Sequence, residues 1–201
     1  MTLGQFNTLM SMTVAVPASV GVVSVRRLST PARYLLLMFI ATLIVEITAY
    51  VLIRNKMSSI FLFGPFLLIE TATVCIFYQR LIPVNRYLMA VAFCLVAGIA
   101  IWEMIARAGV FSTLSIGISR VLFIALGIVL LYRYAGGRVY TAGIVIINST
   151  MLFYCVGNLV YFIVAADMKD MDALLFMIRM HSIVNAFCNI SFAYGLWKLR
   201  E

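Results

Sequence analysis

The sequence predicts an all-α membrane protein, a bundle of seven transmembrane helices that forms a single domain over residues 1–201. Three observations lead to this prediction. Hydrophobic residues make up 65% of the chain and charged residues only 11%, whereas a soluble domain has about 25% charged residues. Seven apolar runs follow one another, each near the length of about 20 residues that a helix needs to cross a bilayer. Helices are expected because open strands leave backbone groups unsatisfied in lipid.

The first apolar run, residues 3–25, has the weakest helical signal, and the sequence leaves open whether it crosses the membrane. It contains Pro17, but Ser11, Ala15 and Ser19 lie four residues apart and form a small-residue face for close helix contact. The second run follows Pro31, and in the third run Gly64 and Pro65 predict a kink that widens one side of the bundle. The six later runs are 34–53, 60–78, 87–104, 114–132, 141–165 and 173–197.

The lysines and arginines between the runs predict the orientation of the chain. Nine lie in the first, third and fifth gaps and the C-terminal tail, and four lie in the other gaps. Because cytoplasmic loops carry an excess of basic residues, the N-terminus is predicted outside and the C-terminus inside. Aromatic residues at the run ends are expected to anchor the helices at the membrane surface: Tyr34, Tyr78, Tyr87, Tyr132, Tyr134 and Trp197.

The net charge of +8 does not indicate a nucleic-acid partner, because the basic residues are spread over the short gaps. The expected surroundings are the lipid bilayer. All four cysteines lie inside apolar runs, where buried free thiols are expected rather than disulfides or metal ligands. One histidine is too few for a histidine-rich zinc shell, and all three lysines lie at run ends, where none can hold retinal. No cofactor and no metal are predicted.

Polar side chains inside the runs are the main functional signal. In the last run His181, Asn185 and Asn189 are spaced by four residues and form one stripe of a helix. At 1.5 Å per residue, Glu46 and Glu70 lie roughly 10 and 15 Å below the predicted outer surface. Arg120 and Arg179 lie at similar depths, roughly 9 Å down, on other helices. Membranes tolerate such charges when they pair or face a cavity.

Two interpretations of these residues remain open: a buried salt-bridge network that fixes helix packing, or a pocket that binds a ligand. The second is favoured because ionisable residues in spans are usually functional. Glu103, at the end of the fourth run, is expected to be a surface group. The predicted ligand-binding residues are Glu46, Tyr50, Glu70, Arg120, Asn158, Arg179, His181 and Asn185.

Two segments carry a resemblance to a known kind of protein. MHSIVN at residues 180–185, with YGLW at 194–197, resembles the last helix of small bacterial seven-helix membrane proteins of unassigned function. PFLLIE at residues 65–70 resembles an earlier helix of the same proteins. The resemblance covers two helices and implies a location in the bacterial inner membrane, but no activity.

The leading functional hypothesis is a membrane sensor that binds a small polar or charged ligand in an outward-facing pocket. With short cytoplasmic turns, such a sensor needs a partner protein for its output. A proton-coupled transporter or channel subunit is the alternative, in which the carboxylates and His181 relay protons. An enzyme with a Glu–His acid–base pair ranks lower because no nucleophile is evident. A structural subunit of a membrane complex is the remaining hypothesis.

Overall fold

The computed structural model describes residues 3–106, 113–167 and 170–199, and this part of the chain is helical throughout apart from short connections. Two short 3-10 turns, Met12–Val14 and Ile60–Leu62, join longer elements. The α-helices are α1 (Leu3–Ser11), α2 (Ala15–Ser24), α3 (Thr30–Arg54), α4 (Phe63–Leu81), α5 (Arg86–Ala106), α6 (Thr113–Ala135), α7 (Ala142–Asp167) and α8 (Met171–Lys198).

Six helical segments are long and apolar enough to cross a membrane. They correspond to the second to seventh runs and are Thr30–Arg54, Ile60–Leu81, Arg86–Ala106, Leu114–Ala135, Ala142–Val164 and Met171–Lys198. An all-helical membrane architecture is therefore confirmed, with a shorter apolar helical stretch, Thr8–Ser24, before the six long helices.

The first run differs from the single helix that its length suggested. The 3-10 turn at Met12–Val14 divides it into α1 and α2. Pro17 explains the break, because proline has no N–H and its ring crowds the carbonyl group four residues earlier, that of Thr13. Both halves nevertheless pack against α8, and α2 also packs against α3.

Helix ends follow ordinary stop signals. α3 begins after the extended Ser29, with Pro31 in its first turn, where the missing N–H costs nothing. It ends at Arg54, and two residues later Lys56, with a left-handed φ of 59°, turns the chain away from the helix axis. Gly137, with a φ of 89°, lies two residues after the end of α6 and turns the chain in the same way. These short turns reverse the chain so that successive long helices run antiparallel.

The helices form a closed ring around a common interior. α2 packs against α3, α3 against α4, α4 against α6, α6 against α7, α7 against α8, and α8 returns to α2. α5 lies outside this ring and packs against α4 and α6. The interior is therefore bounded by the first run and five of the long helices.

The two ends of the bundle differ in charge. One end, which we call the basic end, carries Arg26, Arg27, Arg33, Arg80, Arg86, Arg133, Arg138 and Lys198. The half of the interior nearest the basic end is filled by buried apolar side chains, among them Phe77, Phe123, Leu130 and Ile147, all 0% exposed. The functional candidates lie in the other half, so the apolar packing forms a floor beneath them.

One hydrogen-bonded link crosses the apolar floor. The Tyr78 hydroxyl of α4 donates to Asn148 Oδ1 of α7 at 2.8 Å, and Asn148 Nδ2 donates to the Gly127 carbonyl of α6 at 3.1 Å. Tyr78 is 0% exposed, so its assignment as a surface anchor is wrong. Its ring lies on the inward face of α4, where the hydroxyl finds a buried amide.

Candidate functional site

A cavity of about 260 Å³ occupies the interior on the side away from the basic end. It is bounded by α1, α3, α4, α6, α7 and α8 and by the 3-10 turn after α1. Six of the predicted ligand-binding residues line it: Glu46, Glu70, Arg120, Asn158, His181 and Asn185. Side chains from five long helices that are distant in sequence therefore face one space.

The Glu70–Arg120 ion pair is the most buried feature of the cavity wall. Arg120 Nη1 of α6 lies 2.9 Å from Glu70 Oε2 of α4, and the two side chains are 5% and 4% exposed. It is the only salt bridge found among residues 3–106, 113–167 and 170–199. Because each charge compensates the other, this pair explains how α4 and α6 carry charges inside the membrane.

Aromatic rings hold the Arg120 guanidinium from two other sides. Its central carbon lies 5.2 Å from the Tyr154 ring centre and 5.7 Å from the Phe123 ring centre. Arg120 Nε is buried without a hydrogen-bond partner in the protein. The guanidinium charge is thus matched by the Glu70 carboxylate and by two aromatic rings.

The stripe on α8 faces the cavity as its spacing predicts. His181 stacks on Tyr161 of α7 with ring centres 4.2 Å apart. Asn185 Nδ2 lies 3.0 Å from His181 Nε2, which accepts this bond in the tautomer protonated at Nδ1. Asn185 Oδ1 is buried without a hydrogen-bond partner. The stripe therefore contributes an imidazole ring and an amide group to the cavity wall.

The first run closes the cavity on its remaining side. Asn189 Nδ2, one turn beyond Asn185, donates to the Thr13 hydroxyl in the 3-10 turn at 2.9 Å. Ser11, at the end of α1, lies within hydrogen-bonding reach of the Glu46 carboxyl of α3. The break in the first run thus places two hydroxyl groups against polar residues of α3 and α8.

Two predicted site residues, Tyr50 and Arg179, do not line the cavity. Arg179 is exposed on α8, because two residues of a helix span about 200° and His181 already faces inward. Tyr50 is 40% exposed and accepts a hydrogen bond from Arg54 Nη1 at 3.0 Å. Both residues lie on outward faces of their helices, away from the cavity lining.

Glu103 of α5 differs from the surface group that the sequence suggested. It is 2% exposed and accepts hydrogen bonds from the backbone N–H groups of Leu114 and Ser115, both at 3.1 Å. The Ser115 hydroxyl donates to the same carboxylate at 2.5 Å. Glu103 therefore caps the first turn of α6, where a negative charge also complements the helix dipole.

The aromatic lining of the cavity is the part that sequence reasoning missed. Six rings face the space together with the charged groups: Phe39, Phe63, Phe66, Tyr154, Phe162 and Phe192. On α7, Met151, Tyr154, Asn158 and Phe162 recur at helical spacing on one face. That spacing, anchored on Asn158, is the signal from which the contribution of α7 could have been found.

The chemistry available in the cavity is limited to ionic, hydrogen-bonding and aromatic contacts. No group of three or more histidine, cysteine, aspartate or glutamate side chains clusters into a metal-binding arrangement within the described ranges. Comparison of the chain with protein-family models, with curated proteins and with solved structures finds no match.

Proposed function

We propose that this chain is a seven-helix sensor of an inner membrane that binds a small polar or charged ligand in the cavity. In this proposal the first run completes the seventh crossing, the N-terminus lies outside, and the basic end faces the cytoplasm. The ligand then arrives from outside, on the side where the cavity lies. Output passes through a partner protein that contacts the basic turns.

One observation carries the proposal: Glu46, Glu70, Arg120 and His181, from four different helices, line a single cavity. If these charged residues served only to fix the packing of the helices, no cavity would be expected beside them. Here a volume of about 260 Å³ is lined by these charged residues together with Asn158, Asn185 and Asn189. A concave site with convergent polar groups is the ordinary form of a small-molecule site.

Proton-coupled transport is the second candidate, and the same ionisable groups favour it. A transporter needs a route from the cavity to the other side of the membrane. In the conformation described, that route is filled by Phe77, Phe123 and Ile147, each 0% exposed, and Phe39 contacts Phe192 with ring centres 5.1 Å apart. Uptake by proteoliposomes under a pH gradient distinguishes the two candidates, because a sensor gives no accumulation.

The proposed function is tested by ligand-induced thermal shifts of the purified chain in detergent. A ligand present at 100 times its Kd stabilises the folded state by about 2.7 kcal/mol, which raises Tm measurably. The site variant is the double substitution Glu70→Gln with Arg120→Gln, which keeps the net charge of the cavity. The matched control is Arg179→Gln, because Arg179 lies at similar depth on an outward face.

We expect compounds that raise the Tm of the wild type to raise that of Arg179→Gln equally and to leave the double variant unchanged. The proposal is wrong if a panel of anions, cations, zwitterions and neutral polar compounds leaves Tm unchanged. It is also wrong if the double variant responds to every active compound as the wild type does.

A further inference from the structure

We infer that the ligand of this cavity is a small organic cation that carries an ammonium group. This inference rests on the proposed ligand-binding function and adds the chemical class. Three features of the cavity wall lead to it: its net charge, its aromatic rings and its size.

The charged side chains of the wall do not balance. The wall contains two carboxylates, Glu46 and Glu70, and one guanidinium, Arg120. Arg120 pairs with Glu70 at 2.9 Å, and within the described chain no arginine or lysine pairs with Glu46. The Ser11 hydroxyl, which lies within reach of Glu46, is neutral and donates to the Thr8 carbonyl at 3.1 Å. With His181 neutral, the ionised wall carries one negative charge that a cationic ligand would compensate.

The carboxylate that a ligand would meet is Glu46. The Glu70 carboxylate is occupied by Arg120, whose Nη1 lies 2.9 Å from Glu70 Oε2. The guanidinium charge is matched in turn by Glu70 and by the Tyr154 and Phe123 rings. The charge left without a counterpart is therefore that of Glu46, and an ammonium group supplies both a positive charge and N–H donors for it.

The rings of the wall favour the same sign of charge. The face of an aromatic ring is the negative end of its quadrupole, so it attracts cations, and aromatic cages recognise ammonium ligands in this way. Phe39, Phe63, Phe66, Tyr154, Phe162 and Phe192 surround the cavity, and the faces of Tyr154 and Phe123 already hold one cation, Arg120. An anion would face these rings without such attraction.

The volume limits the ligand to a small molecule. About 260 Å³ is the space of roughly nine water molecules at about 30 Å³ each. This space suits a compact amine with one hydrocarbon or aromatic group.

Three probes of the same shape separate the charge classes. They are phenethylammonium, which is a cation, 3-phenylpropanoate, which is an anion, and phenylalanine, which is a zwitterion. Binding is measured by isothermal titration to the full chain in a neutral detergent at one ionic strength. The variants are Glu46→Gln, which removes the unpaired carboxylate, and Asp172→Asn, which removes an exposed acid at the start of α8. The Tm of each unliganded variant shows whether it is folded.

We expect phenethylammonium to bind at least about tenfold more tightly than the other two probes, as loss of one charged hydrogen bond implies. Glu46→Gln should weaken its binding by about tenfold or more, and Asp172→Asn should leave it unchanged. If Glu46→Gln does not fold, Glu46→Asp serves instead, because it keeps the charge but shortens the side chain and should give an intermediate loss.

Several results overturn the inference without touching the proposed function. Tighter binding of 3-phenylpropanoate that is lost in the Glu70→Gln/Arg120→Gln variant would make the ligand an anion. Tightest binding of phenylalanine would make it a zwitterion. Phenethylammonium binding that is unchanged in Glu46→Gln would remove the carboxylate from recognition. If no probe binds, the assignment of a cationic ligand is wrong. The proposed function fails as well only if no compound of the broader thermal-shift panel changes Tm.

Discussion

At the scale of single residues, the Glu70–Arg120 pair is a buried ion pair between α4 and α6. Both side chains are at least 95% buried, so each charge depends on the other for its compensation. Removing one partner leaves an isolated charge in a low-dielectric region, whereas removing both leaves two neutral amides. The energetic cost is therefore set by imbalance rather than by the lost contact.

This imbalance gives the first prediction. Arg120→Gln should lower the free energy of unfolding by about 3–5 kcal/mol, because Glu70 then remains buried and unpaired. The double variant Glu70→Gln/Arg120→Gln should recover most of this loss. Unfolding of the purified chain in mixed micelles by added sodium dodecyl sulfate measures both, with Arg179→Gln as the control that should change little. Equal losses in the single and double variants would show that the pair is not compensating.

Glu103 supports a second prediction at the same scale. Its carboxylate receives two backbone N–H groups and the Ser115 hydroxyl at the start of α6. Glu103→Ala should destabilise the fold by about 1–3 kcal/mol, because those donors lose a charged acceptor. Glu103→Gln should cost less, since its amide oxygen still accepts. The same unfolding measurement compares them, and identical stability of Glu103→Ala and wild type would contradict the capping role.

At the scale of elements, the close approach of α7 and α8 depends on two glycines. A Cβ atom on Gly143 would lie 2.6 Å from the Gly195 carbonyl oxygen, which is backbone and cannot move aside without shifting the helix. This contact lies near the basic end, and the same two helices carry His181, Asn158 and Tyr154 at the cavity. The two glycines therefore allow close packing of the helices that carry these residues.

Gly143→Ala should consequently destabilise the bundle by about 1–3 kcal/mol, the range typical of overpacking. Gly98→Ala is the matched control, because a Cβ atom on Gly98 would meet nothing within 4 Å. It should be neutral or stabilising by about 0.5–1 kcal/mol, as alanine is the better helix former. If both variants behave alike, the α7–α8 approach is looser than described.

The elements also show what the sequence could and could not predict. The six long helices follow from composition and length, and the inward stripe of His181 and Asn185 follows from spacing. The outward direction of Arg179 could not be predicted. Counting residues gives the position of a side chain along the helix axis, but its direction depends on which face of the helix packs against the other helices. Glu103 was misjudged because its partners, Leu114 and Ser115, lie beyond a chain reversal that sequence spacing does not resolve.

At the scale of the whole molecule, the closed ring of helices makes the site a product of the complete chain. α5 lies outside the ring, and its described contribution near the site is the Glu103 cap on α6. The first run, weakest as a sequence signal, closes the ring between α3 and α8 and brings Ser11 to Glu46. Deleting α1 should thus open the cavity to lipid rather than leave it intact.

The proposed topology makes a separate prediction. The basic end should face the cytoplasm, so a green fluorescent protein fused after the C-terminus should fluoresce, whereas alkaline phosphatase there should be inactive. An epitope tag at the N-terminus should react with antibody in intact spheroplasts if the first run crosses the membrane. A tag that reacts only after lysis would place both termini inside and reduce the crossings to six.

The central claim is that charged groups from separate helices face one cavity that is reached from outside. Thr42 of α3 lines that cavity, whereas Leu35, about two turns nearer the basic end on the same helix, is 0% exposed. The direct measurement is reaction of single-cysteine variants Thr42→Cys and Leu35→Cys, in a background without native cysteines, with a membrane-impermeant thiol reagent applied to spheroplasts. We predict rapid labelling of Thr42→Cys, slowed by a bound ligand, and no labelling of Leu35→Cys. Failure of Thr42→Cys to react from outside, in a variant that is folded, would contradict the account.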